Sequence, residues 1–229
     1  MTDNDVAGNL RRVRRSIAEA AEAAGRAPAA VTLIAVGKAQ PIERLEAALE
    51  AGQRVFGENY VQEAAGRWPA LRERYPDVEV HMIGALQTNK SKEAVALFDV
   101  IQTVDRPKLA ASLAKEMAKQ ARQRAVFVQV NTGEEPQKAG VWPEETDALV
   151  RLTRDELGLD VRGLMAIPPA DEDPAPHFGL LREIARRNGL PWLSMGMSED
   201  YELAVRLGAT HVRVGSAVFG PRPPRAGRG

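Results

Sequence analysis

The sequence predicts an α/β protein folded as a single (β/α)8 barrel of the TIM type, with an extra N-terminal helix. Three observations carry this prediction. Eight short runs rich in β-branched residues recur along the chain, segments of helical period separate them, and prolines and glycines stand at the joins. Eight strands with helical crossovers in 229 residues fit a closed barrel better than a doubly wound open sheet. The open sheet is the second choice, because the second, fourth and seventh runs are short.

A leading helix over residues 9–24 stops at Gly25 and Pro28. The first strand, "VTLIAV" (31–36), leads into the helical segment "PIERLEAALEAG", and "RVFGEN" (54–59) leads into "VQEAAGRWPALRER". Next come "EVHMIG" (79–84) with "NKSKEAVALF", and "DVIQTV" (99–104) with "RPKLAASLAKEMAKQAR". The second half pairs "AVFVQVN" (125–131) with "PEETDALVRLTRDEL" and "VRGLMAI" (161–167) with "APHFGLLREIARRNG". It closes with "PWLSM" (191–195), "SEDYELAVRLG" and the last strand, "HVRVG" (211–215). Pro41, Pro107 and Pro143 stand in first turns, where a missing N–H costs no hydrogen bond; Gly52, Gly158, Gly189 and Gly208 suit left-handed C-caps. Residues 1–220 are therefore read as the barrel and 221–229 as a flexible tail. The tail's Pro, Gly and Arg bury too little apolar surface to fold. Anion binding by Arg222, Arg225 and Arg228 is its weaker reading.

Lys and Arg together number 31, and so do Asp and Glu, so no net field draws in a nucleic-acid duplex or an anionic membrane. A small ligand is expected instead. The absence of cysteine rules out a disulfide framework, a thiolate nucleophile and a Cys-based metal site. The opening "MTDNDVAGNLRR" is no export signal, and no apolar run approaches the roughly 18 residues that span a bilayer. A cytoplasmic protein follows as the expectation. His177 is read as a loop residue without a second metal ligand at useful spacing, and His211 as a packing or capping residue near strand eight. Asp171, Glu172 and Asp173 read as a solvated loop, and no metal is expected.

In such barrels the chemistry gathers at the carboxyl ends of the strands. Lys38 stands there after the first strand, between the small residues Gly37 and Ala39. A lysine leaving a strand ordinarily reaches for water, but at the lip of a barrel mouth its amine can add to a carbonyl. The loops after strands seven and eight hold Gly196, Ser198, Gly215 and Ser216, glycines and hydroxyls of the kind that cradle a phosphate. The competing reading makes Ser198 the N-cap of a helix starting at Glu199. Arg213, between Val212 and Val214, faces the barrel interior if the valines face the helices. There it needs either a buried carboxylate or a ligand.

The segments "AVGKAQP", "AGQRVFGENYVQEA", "HMIGALQTNK", "VQVNTGEEPQKAG", "GLMAIPP" and "LSMGMSEDYELAVRLGATHVRVGSAVFG" occur in an order that resembles the YggS/PROSC-like pyridoxal phosphate homeostasis proteins. These are relatives of the barrel domain of alanine racemase. The resemblance implies a fold type III pyridoxal 5′-phosphate barrel without the second β-domain, in which Lys38 holds the cofactor as an internal aldimine. It also implies phosphate contacts from Ser198, Gly215 and Ser216, Arg213 facing the pyridine nitrogen, and a pocket lined by Asn59, His81 and Met165. Arginine only donates, so it would keep the ring nitrogen unprotonated and weaken the ring as an electron sink. The family commonly has Ser and Thr on either side of the lysine and an aromatic before His81. This chain has Gly37, Ala39 and Val80.

A racemase of this fold needs a second acid/base, generally a tyrosine, on the other face of the cofactor. Tyr60, Tyr75 and Tyr201 do not stand at strand ends, and Tyr60 and Tyr201 are read as packing residues at helix starts. The expected protein is a monomer that buffers or delivers pyridoxal phosphate, with dependent apoenzymes as recipients and without robust turnover. A slow amino-acid racemase is the alternative, and a cofactor-free Schiff-base aldolase is a third reading.

Overall fold

The computed structural model describes residues 5–221, so all of the expected tail after Pro221, with its three arginines, lies outside the described residues. Eight parallel strands close in chain order into one barrel. They are β1 (Thr32–Val36), β2 (Val55–Glu58), β3 (Glu79–Met82), β4 (Val100–Val104), β5 (Ala125–Val130), β6 (Asp160–Ala166), β7 (Trp192–Ser194) and β8 (His211–Val214). All eight predicted runs are strands, and closure by β1 against β8 excludes the open sheet. That pairing sets Ile34 beside Arg213 and Ala35 beside Val214.

Register and burial sort the two faces. Leu33, Ala35, Val212 and Val214 belong to the main core between sheet and helices. The residues alternating with them, Ile34 and Arg213, point into the barrel, as period two requires. Phe127, Met165 and Val100 form a small apolar cluster inside it.

The helices are α1 (Val6–Ala23), α2 (Ile42–Glu50), α3 (Val61–Ala65), α4 (Trp68–Arg74), α5 (Ser91–Leu97), α6 (Pro107–Gln120), α7 (Thr146–Arg151), α8 (Pro174–Arg187), α9 (Tyr201–Arg206) and α10 (Ser216–Phe219). α1 starts three residues earlier than its sequence pattern suggests, because the Asp5 carboxylate accepts from Gly8 N at 2.7 Å and caps it. Among the described residues, only the one-turn α10 follows β8. α1 packs against α2, α9 and α10, and so takes the place in the outer ring that a full eighth crossover helix would fill. The "extra" helix thus completes the barrel. Among the described residues, no helix is long and apolar enough to cross a membrane.

Three expectations need correction. α9 begins at Tyr201, not Glu199, and Ser198 is not its N-cap; Asp200 stands there and accepts from Met197 N at 2.6 Å. His177 lies within α8 rather than in a loop, because Asp173 caps that helix upstream of it, and His177 pairs with Glu172 at 3.1 Å. The segment over residues 61–74 is two short helices, broken where Arg67 turns back toward the sheet.

The bend after β7 depends on Gly196, whose φ of 93° is left-handed. A Cβ there would stand 2.5 Å from Ala204 Cβ and 3.0 Å from Tyr201 Cα. Gly196→Ala is therefore expected to cost about 2–5 kcal/mol, from backbone strain plus overpacking, read as a lower urea midpoint.

Candidate functional site

A cavity of about 360 Å³ opens at the carboxyl ends of β1 and β8 and is lined by Val36, Lys38, Gln40, Gly215 and Ser216. Lys38, Gly215 and Ser216, chosen from sequence, therefore meet in one space. Lys38 is half-buried, with Nζ 5.3 Å from the centre of the Tyr60 ring. Among the described residues no carboxylate pairs with it. Tyr60 itself is 53% exposed, so it is not a packing residue as its place before α3 suggested.

The lysine loop is held from outside the barrel. Arg67 Nη1 donates to the carbonyls of Gly37 (3.3 Å) and Gln40 (3.1 Å), so one guanidinium spans both ends of the turn that carries Lys38. Arg67 is also paired with Glu63, whose carboxylate accepts from Ala39 N at 2.7 Å. Ala39 has a φ of 57°, a left-handed conformation that a non-glycine residue keeps only when its surroundings impose it. Beneath the turn, the fully buried Glu58 accepts from Trp68 Nε1 at 2.9 Å and faces Arg67 Nη2 at 3.3 Å. A Cβ on Gly37 would stand 2.9 Å from Leu45 Cδ2 and 3.0 Å from Glu58 Oε1, which explains glycine there where the resemblance leads one to expect serine.

Burial pushes Glu58 up to about 7, more than Arg67 and the Trp68 bond pull it down. Burial also depresses His211 to about 3; it lies inside the barrel against Phe127 and Trp192. The two act on stability with opposite signs. Between about pH 4.5 and 7 the folded chain binds a proton at Glu58 that the unfolded chain does not, so this contribution is lost as pH rises. Between about pH 6.5 and 3 the unfolded chain binds a proton at His211 that the folded one refuses, so that contribution is lost as pH falls. Glu58→Gln is expected to leave the His211 slope unopposed. Its unfolding free energy, from urea titrations, should fall more steeply than wild type on going from about pH 6.5 to 4.5.

Ser198 joins the two loops of the expected cradle: its Oγ accepts from Gly215 N at 3.3 Å and from Ala217 N at 3.5 Å. These are long bonds, which a stronger acceptor can replace. Ser216 is exposed beside them. Asn59 is half-buried at the end of β2, with its backbone against Gly84, where an added Cβ would lie 2.2 Å from the Asn59 carbonyl oxygen.

Arg213 lies one inward step below Gly215, as Ile34 lies below Val36, and so sits under the cavity floor. It is 4% exposed and donates to Ser194 Oγ (2.7 Å) and the Ala166 carbonyl (2.8 Å). Among the described residues no carboxylate stands within ion-pair distance of it, and Asp200 acts on it only from farther off, so the buried salt-bridge reading does not hold. Burial pulls it down to about 10, and it stays charged at neutral pH. His81 and Met165 do not reach the cavity; both are enclosed inside the barrel, His81 between Glu79 and Gln102. Lys138 and Asn131 are spent locally, on Glu135.

A second cavity, of about 300 Å³, lies at the amino end beside Arg14, Gln53 and Arg54. Its polar groups are engaged: Arg14 holds the Gly52 carbonyl and Gln53, and Gln53 holds the carbonyls of Leu33 and Val55.

The family described as alanine racemase, N-terminal domain, matches residues 8–223. The chain belongs to this family. A pyridoxal phosphate homeostasis protein of Pseudomonas aeruginosa is 42% identical over 222 residues, covering 95% of this chain and 96% of its own. The structure of PipY from Synechococcus elongatus PCC7942, with PLP bound, superposes with a TM-score of 0.81 at 35% identity, over 94% of this chain and all of that one. An alanine racemase of Clostridium difficile 630 gives a TM-score of 0.73 at 15% identity, over 96% of this chain and 57% of that one; this likeness concerns the fold alone.

Proposed function

We propose that the protein binds pyridoxal 5′-phosphate at the carboxyl mouth of its barrel and acts in pyridoxal phosphate homeostasis, buffering the cofactor or delivering it to dependent apoenzymes. The observation that carries the reading is the unpaired Lys38 amine sharing one cavity with Gly215 and Ser216. The donor set fits the group. A bound cofactor supplies an aldehyde that an amine can capture, together with a phosphate and a ring nitrogen. Lys38 would hold the aldehyde carbon. The N–H groups of Gly215 and Ala217, with the hydroxyls of Ser198 and Ser216, would take the phosphate. Arg213, a donor with no carboxylate at ion-pair distance, would suit an unprotonated ring nitrogen, and Asn59, at the end of β2, would stand beside the cofactor. His81 and Met165 support the floor from below.

Delivery is favoured over turnover because the amine stands at an open rim, where water is not excluded from a reacting carbanion. A relative named for homeostasis also matches over 95% of the chain. The test is transfer. Purified protein loaded with pyridoxal phosphate should show visible absorbance, and should restore activity to a pyridoxal-phosphate-dependent apoenzyme while losing that absorbance. Cofactor retained in the presence of excess apoenzyme, together with racemisation of an added amino acid, would replace the carrier reading with the racemase. Protein that never gains visible absorbance would remove both.

A further inference from the structure

Among the described residues Arg213 has no carboxylate at ion-pair distance, Asp200 acting on it only from farther off, yet hydrogen bonds wire it to one. Its Nη1 donates to Ser194 Oγ at 2.7 Å, and Ser194 Oγ lies 2.6 Å from Gln102 Oε1. Gln102 Nε2 lies 2.7 Å from His81 Nδ1, and His81 Nε2 lies 2.6 Å from Glu79 Oε1. The chain passes through β8, β7, β4 and β3 and ends on Glu79, the first residue of β3, whose side chain is 46% exposed at the amino end. Gln102 and Ser194 are fully buried and His81 nearly so, and none has an orphaned polar atom.

Only one set of proton positions satisfies every link. A guanidinium only donates, so Ser194 accepts from Arg213 and its own proton must go to Gln102 Oε1. That turns the Gln102 amino group toward His81, so Nδ1 accepts and the ring proton sits on Nε2, donated to Glu79. A proton on Nδ1 would reverse the Gln102 amide. Ser194 would then face two donors, with no acceptor here for its own hydrogen. The links run head to tail from a cation to an anion, the arrangement in which each bond polarises the next.

We infer that Gln102, acting through Ser194, is a positioning residue for Arg213, and that His81 and Glu79 fix which way round its amide stands. The inference rests on the proposed function for its consequence at the cofactor, but the tautomer can be read without cofactor. Long-range nitrogen–proton NMR of the histidine rings in the apoprotein should show His81 protonated on Nε2 alone. In Gln102→Glu a carboxylate faces both Ser194 and His81, so both His81 nitrogens should become protonated while Arg213 keeps its partner. Gln102→Leu should bind pyridoxal 5′-phosphate at least about tenfold more weakly, with an altered visible spectrum, because the Arg213 guanidinium loses its orientation.

Wild-type His81 protonated on Nδ1 would overturn the inference. So would a folded Gln102→Leu protein with wild-type affinity and spectrum. If the apoprotein tautomer is as expected but the wild type takes up no cofactor, it is the proposed function that fails, along with Gln102's role toward the cofactor.

Discussion

Lys38→Ala is expected to abolish the visible absorbance acquired on adding pyridoxal 5′-phosphate while leaving the fold unchanged. Lys38 is half-buried and its only ring contact is with Tyr60, so its removal opens no core cavity. The phosphate donors on the loops after β7 and β8 depend on Ser198 rather than on the lysine, so they should stay in place. The variant should therefore retain weak, reversible cofactor binding, measurable by fluorescence quenching, with an unshifted melting temperature. Undiminished visible absorbance in the variant would show that another amine captures the aldehyde.

Arg67→Met is expected to be the most destabilising single change near the site. It leaves the Glu58 carboxyl buried against Trp68 without its cation, and above about pH 7, where Glu58 is ionised and the stability should be measured, breaking a buried pair by removing one partner costs about 3–5 kcal/mol. It also frees the Gly37 and Gln40 carbonyls, so the turn bearing Lys38 loses the brace that keeps Ala39 left-handed. Two readouts should move together: a lower urea midpoint, and slower capture of pyridoxal phosphate by the folded fraction. Adding Glu58→Gln should recover much of the stability, because the uncompensated carboxylate is then gone, but not the capture rate. Equal recovery of both would mean that Arg67 acts on stability alone.

The strands could be read from the sequence because β-branched runs of five to seven residues between Gly and Pro markers leave little choice of structure. Lys38 could be read because one strand end suffices to place it. Tyr60 was misjudged because its exposure depends on how the loop after β2 turns, and nothing local encodes that. Ser before an acidic pair has the pattern of an N-cap; Asp200 instead stands at that position, its carboxylate holding Met197 N, and Ser198 is left to bridge two loops. Gln102 and Ser194 carry no local signal, standing inside the runs "DVIQTV" and "PWLSM". A polar residue inside a strand acquires meaning only when the register of four strands brings it to a neighbour, as it brings Gln102 to His81 and Ser194. The same holds for Arg213: alternation gave its direction, but that no carboxylate meets it required the whole barrel.

The most direct measurement is borohydride reduction of the cofactor-loaded protein, followed by peptide mass mapping. The account predicts a single pyridoxyl-phosphate addition on the peptide containing Lys38. Addition on a different lysine, or spread over several surface lysines, would contradict it.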